Sequence, residues 1–164
     1  MLARLLHPSR TIDAETPPIG EFVEVEGVRL HFVEAGRRDA PALILIHGAS
    51  GNLRDWTSSI FDDLARDWRV IAFDRPGYGH SEFLPQGSWL IAAQVDAMRA
   101  AMRKLGHRKY AIFGHSYGVA VALDWALRYP DEVAGMLNMS GAMLSWRGFL
   151  GWRYRWGGNP AIGR

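Results

Sequence analysis

Four short apolar runs limit the fold more than any other feature. Ala42 to Ile46, Val70 to Phe73, Tyr110 to Phe113 and Gly135 to Met139 do not alternate apolar with polar residues, as expected of strands buried on both faces. Helical spacing fills the gaps between them. Trp56, Ile60, Leu64 and Trp68 recur every fourth residue, and Ile91, Val95, Met98, Met102 and Leu105 mark one face of a second helix. A third segment, Tyr117 to Tyr129, is apolar nearly all round and is expected to be the most buried helix, closed by Tyr129-Pro130-Asp131. Strand, helix, strand repeated in this way predicts an α/β fold, a doubly wound parallel sheet with crossover helices on both faces.

Ahead of this core the pattern differs. Val23 and Val25, then Val28, Leu30 and Phe32, alternate with polar residues around Glu26-Gly27, which predicts an antiparallel hairpin. Thr16-Pro17-Pro18-Ile19-Gly20 marks the entry to ordered structure, so residues 1–20 are expected to form a mobile arm and 21–143 the core.

Composition removes several classes of function. The formal charge of +2 arises from scattered residues of both signs, so charge points to no nucleic-acid partner. The chain has no cysteine, which removes disulfides, thiolate chemistry and cysteine-based metal sites. The Leu-rich start is too short for a signal or a membrane span, so a membrane role is not expected and a cytoplasmic setting is.

In an open α/β sheet, functional groups gather beyond the carboxyl ends of the strands. Here those ends read His47-Gly48-Ala49-Ser50-Gly51-Asn52, then Asp74-Arg75-Pro76-Gly77-Tyr78-Gly79-His80-Ser81, then Gly114-His115-Ser116-Tyr117-Gly118. A serine between a strand and a helix, with glycine two residues away on each side, suits a turn too sharp for side chains. Such a turn lifts the hydroxyl above the sheet at a helix N-terminus.

These motifs, in this order, resemble the N-terminal part of the α/β-hydrolase superfamily, in its serine esterase and lipase-like branch, over roughly Glu21 to Ser140. The resemblance implies that Ser116 is the nucleophile and that the backbone N–H groups of Tyr117 and Ala49 form the oxyanion hole. Two preorganised donors are what acyl transfer needs, because its transition state puts negative charge on a carbonyl oxygen. Serine rather than aspartate at the elbow argues against the dehalogenase and epoxide-hydrolase branches. Val119 stands where relatives often carry a second glycine, with tighter helix packing the expected result.

The other polar residues of these loops have structural readings. His47 orders its turn and Gly48 allows close backbone approach, and neither is assigned proton transfer. Asp74, Gly77 and Gly79 set the second loop, and Gly114 and Gly118 the elbow. Ser116 itself has a plain alternative, a serine that caps a helix. His31 is placed on a strand face and His107 before a strand, solvated or locally hydrogen-bonded. No His-x-x-x-His pairing supports zinc, and the resemblance implies no metal and no cofactor.

A serine hydroxyl needs a base, and the base needs an acid behind it. After Ser116 the acidic residues are Asp124, Asp131 and Glu132, and no histidine follows. Residues 144–164, with Trp146, Phe149, Trp152 and Trp156 among basic residues, read as the start of a lid over an apolar pocket. The chain is therefore expected to be the N-terminal part of a serine hydrolase acting on a carboxylic ester or related acyl compound. As it stands it should be weakly active or inactive, with a bare edge strand, one uncovered sheet face and a tendency to self-associate. The competing reading is a non-catalytic fragment or partner-binding pseudoenzyme. Carbon–carbon bond hydrolysis or cofactor-free perhydrolysis in the same fold stays open.

Overall fold

The computed structural model describes residues 16–141. Most of the expected arm and all of the expected lid start lie outside the described residues. The chain forms β1 (Glu21–Val25), β2 (Val28–Ala35), β3 (Ala42–Ile46), α1 (Arg54–Thr57), α2 (Phe61–Leu64), β4 (Arg69–Phe73), α3 (Ile91–Lys104), β5 (Tyr110–His115), α4 (Tyr117–Arg128) and β6 (Val133–Met139). The strands make one six-stranded sheet in the order β1-β2-β4-β3-β5-β6.

β1 and β2 pair antiparallel across Glu26 and Gly27, whose φ values of 51° and 79° give a two-residue turn with both central residues left-handed. β2 joins β4 antiparallel, and the β4-β3-β5-β6 pairings are all parallel. From β3 the chain goes to β4 on one side and then crosses back to β5 on the other. The carboxyl ends of β3 and β5 thus flank the point where the winding reverses, the usual crevice of such sheets.

Alternate residues of the central strands face opposite layers. Ile44, Ile46, Ile71, Phe73 and Ile112 pack under α3 and α4 with Val95, Met98, Met102, Val121 and Trp125. Leu43, Leu45, Val70, Ala72 and Phe113 meet Leu53, Trp56 and Phe61 on the other side. Helical segments therefore lie on both faces of the central strands, as the crossover pattern predicted, and the expectation of one uncovered sheet face does not hold for these strands.

Three local expectations need correction. The four-residue spacing from Trp56 to Trp68 predicted one helix, but the segment is two short helices, α1 and α2. Ser58 and Ser59 lie between them, and their hydroxyls donate to the Arg54 and Asp55 carbonyls, an alternative to continued helix that serine offers. α4 is buried on one face only: Val119, Val121 and Trp125 are fully enclosed, while Leu127 is 73% exposed. For β6 the sequence supports two expectations, a run buried on two faces and a bare edge. It is the edge of the described sheet, with Leu137 57% and Met139 41% exposed. Among the described residues no helix is long and apolar enough to cross a membrane.

Candidate active site

Ser116 stands between the last residue of β5 and the first of α4 with φ 52° and ψ −117°. A non-glycine residue held there is strained by roughly 1 to 3 kcal/mol, and such strain persists only where the surroundings impose it. They do so from three sides. The Ser116 N–H donates to the Met139 carbonyl at 2.9 Å, and its carbonyl accepts from the Val119 N–H at 3.1 Å. The chain then passes the end of β3 so closely that a Cβ on Gly118 would sit 2.2 Å from the Ile46 oxygen. A Cβ on Gly114 would likewise meet the Gly118 oxygen at 2.7 Å. Both elbow glycines are thus required by backbone contact.

The side chain of Ser116 makes no cap hydrogen bond, although the residue occupies the N-cap of α4. Capping is therefore not its role in this structure. Val119 packs against Gly141, where a Cβ would come within 2.3 Å of the valine side chain.

The β3 loop meets the elbow at Gly48. A Cβ there would lie 3.1 Å from the Ser116 Cβ and 3.3 Å from His115 Nδ1, tighter than an ordinary contact, so glycine eases the approach of the loop. The structure thus brings Gly48, and with it the Gly48-Ala49 peptide, to Ser116, and Tyr117 opens the helix whose first N–H groups lack intrahelical acceptors.

His47 is completely buried and fully used. Its Nε2 accepts from the Arg75 N–H at 3.0 Å, so the ring proton is on Nδ1, which donates to the Gly48 carbonyl at 2.9 Å. Burial, assisted by the nearby Arg75 charge, lowers its pKa from 6.5 to about 4. It is neutral at pH 7, which agrees with an ordering role.

Asp74 is equally committed. Oδ1 accepts from the Leu53 N–H at 2.7 Å, and Oδ2 from His31 Nδ1 at 2.7 Å and the His80 N–H at 2.8 Å. Burial opposes the charge, but these three donors outweigh it and hold the carboxyl below its usual range. Gly79, at φ 51°, wraps around this carboxylate so tightly that a Cβ would fall 2.1 Å from Oδ2. Gly77, at φ 79°, makes the preceding turn. The expectation for His31 needs correction: it is buried, not solvated, and bridges Asp74 to the Gly20 N–H, which donates to its Nε2 at 3.2 Å. The partners are 43 residues apart, and no local pattern announced them.

Among the described residues no histidine is hydrogen-bonded to the Ser116 side chain. His80 contacts the Thr16 carbonyl, and His107 meets Glu34 at 2.7 Å. Two of the acids that follow the elbow, Asp124 and Glu132, are spent elsewhere. Asp124 pairs with Arg128 at 3.4 Å. Glu132 precedes β6, at the end of the sheet opposite the elbow. Its pKa falls to about 2, chiefly through hydrogen bonds from Arg99, against the cost of burial and with help from Arg103 and Tyr110. Arg75, read from the sequence as part of a structural loop, is fully buried, and so is Gln94, which sequence reasoning passed over. A glutamine within the apolar stripe of α3 was the available signal.

Three proteins give the measure of similarity. An uncharacterized protein of Mycobacterium tuberculosis is 34% identical over 137 residues, covering 84% of this chain and 38% of the relative. Epoxide hydrolase 3 of Mus musculus is 26% identical over 140 residues, covering 85% and 37%. The crystal structure of a bacterial membrane phospholipase A superposes with a TM-score of 0.74 at 27% identity, covering 96% of this chain and 52% of that one. The chain thus spans well under two thirds of the length of each. The sequence model of the α/β hydrolase fold matches residues 41–160. A sheet with its winding reversal at β3 and β5, a strained serine there, and a match over most of the chain lead to one conclusion: this protein belongs to the α/β hydrolase fold family.

Proposed function

We propose that this chain carries the nucleophile, Ser116, and the oxyanion donors, the Ala49 and Tyr117 N–H groups, of a serine hydrolase that cleaves a carboxylic ester or related acyl compound. The observation that carries the reading is the elbow: Ser116 is held at φ 52° with its hydroxyl uncommitted. Attack by Oγ on the acyl carbonyl forms the acyl-enzyme and expels the alcohol, and water then releases the acid. Base and acid come from outside the described residues, since no described histidine is hydrogen-bonded to Ser116 and both Asp124 and Glu132 are engaged elsewhere. A phospholipase among the similar structures is consistent with an ester substrate. Epoxide hydrolase 3 names a different electrophile, but serine at the elbow favours the acyl route.

A second reading, a partner-binding protein without catalysis, draws on two features. No described histidine bonds to Ser116, and β6 presents an exposed apolar edge. The two readings separate on treatment with an alkyl fluorophosphonate followed by peptide mass mapping. The hydrolase reading expects selective modification of Ser116, absent in Ser116→Ala, with at most slow ester turnover by the 164-residue chain. Modification no faster than at the exposed Ser58 and Ser59 would favour the binding protein.

A further inference from the structure

Arg75 is fully buried, yet among the described residues no carboxylate meets its guanidinium. A cation removed from water costs several kcal/mol unless its donors are well used. Here they are. Nε donates to the His47 carbonyl at 3.1 Å, Nη1 to Gln94 Oε1 at 2.9 Å and Nη2 to the Gly48 carbonyl at 2.9 Å. The guanidinium also lies 4.1 Å from the ring centre of Tyr78 and 4.8 Å from that of Tyr117, the residue after the elbow serine.

The Gly48 carbonyl therefore receives two strong donors, Arg75 Nη2 and His47 Nδ1. That oxygen belongs to the same planar trans peptide as the Ala49 N–H, and the two groups point to opposite sides. Fixing the oxygen fixes the direction of the N–H. A cation on the carbonyl side also polarises the peptide and strengthens its N–H as a donor.

We propose that Arg75, with His47, is a positioning residue that aims and polarises the Ala49 N–H toward the oxyanion formed at Ser116. The inference rests on the hydrolase reading above. It explains why a costly buried cation is retained where an apolar side chain would fill the space. Lysine cannot substitute, since one ammonium does not reproduce the planar three-point grip on His47, Gly48 and Gln94.

The test uses the 15N-labelled chain and an alkyl fluorophosphonate, whose phosphorus bonds to Ser116 Oγ as fluoride leaves and the serine proton passes to solvent. The phosphonyl oxygen then occupies the oxyanion position. In the wild-type adduct the Ala49 and Tyr117 amide protons are expected to move downfield together. In Arg75→Met and Arg75→Lys the Tyr117 shift should remain and the Ala49 shift vanish, with modification slowed about tenfold to a hundredfold, toward the effect of losing one oxyanion donor. A wild-type Ala49 shift in these adducts overturns the positioning role and leaves the nucleophile intact. Failure of the wild type to react selectively at Ser116 overturns the hydrolase reading itself, and the inference with it. If Arg75→Met does not give a dispersed amide spectrum, Arg75→Lys and Gln94→Met decide. Gln94→Met keeps the guanidinium and removes its Nη1 anchor, together with the Gln94 Nε2 bond to the Ser88 carbonyl, and should shrink the Ala49 shift while sparing that of Tyr117. An unchanged Ala49 shift in either variant counts against the proposal.

Discussion

The loops after β4 and β5 treat their polar groups in opposite ways. At the β4 loop, Asp74 receives donors from Leu53, His31 and His80. The carbonyl of Asp74 takes the Ser81 hydroxyl at 2.6 Å. The left-handed positions of that loop fall on glycines, Gly77 and Gly79, which adopt them without strain. At the β5 loop the strain falls on a serine, and its hydroxyl caps nothing. Polar groups that hold a fold are satisfied within it, whereas a group kept for chemistry must be held in place by its backbone alone. The contrast identifies Asp74 as architecture even though its residue type and position invite an acid–base role.

Removing Asp74 should give the largest effect. Asp74→Ala leaves the His31 ring and two backbone N–H groups buried without an acceptor, and should cost about 3 to 5 kcal/mol in urea denaturation. Gly79→Ala should also be severe, because the added methyl meets Oδ2. A loss below about 1 kcal/mol in Asp74→Ala, the size of an ordinary surface substitution, would break the assignment of this loop as architecture.

Acidification should find the same difference through His47. Its folded pKa of about 4 lies below the ordinary 6.5, so between these values the unfolded chain binds the extra proton. The contribution to stability is complete above pH 6.5 and is lost as pH falls toward 4, by about 3 kcal/mol in all. Asp74, also lowered, acts in a separate window: its contribution is present above its unfolded value of 3.8 and lost as pH falls below that. Denaturant midpoints at pH 7, 5.5 and 4.5 should therefore decline in the wild type and flatten in His47→Gln. Equal slopes in the two proteins would remove His47 from the saturated network.

Much of this was legible in the sequence, and what was legible is local. Apolar runs without alternation located the parallel strands, Glu26-Gly27 located the hairpin turn, and the spacing of Gly114 and Gly118 about Ser116 located the elbow, because each depends on a few neighbouring residues. Contacts set by distant segments were not legible. His31 reaches Asp74 across 43 residues, and Arg75 reaches Gln94 across 19. The break between α1 and α2 was missed because the spacing of Trp56, Ile60 and Leu64 suits two helical turns as well as one helix. The exposure of Leu127 depends on how far the neighbouring layer extends, which the apolar pattern of α4 does not encode.

The smallest effect is also the sharpest, because its sign is reversed. Ser116→Gly removes no capping hydrogen bond, since the serine hydroxyl makes none and the elbow is held by the Met139 carbonyl, the Val119 N–H and the close passage of Gly118. Glycine adopts a left-handed φ without the Cβ penalty, so the substitution should recover part of the strain and raise stability by about 1 kcal/mol, even after glycine's larger loss of entropy on folding. Reaction with the fluorophosphonate at this position should disappear at the same time. A gain in stability with loss of reactivity is the signature of strain held for function. A loss of 1 kcal/mol or more, on the order of a helix cap removed, would show instead that Ser116 supports α4 and would erase the difference between the two loops.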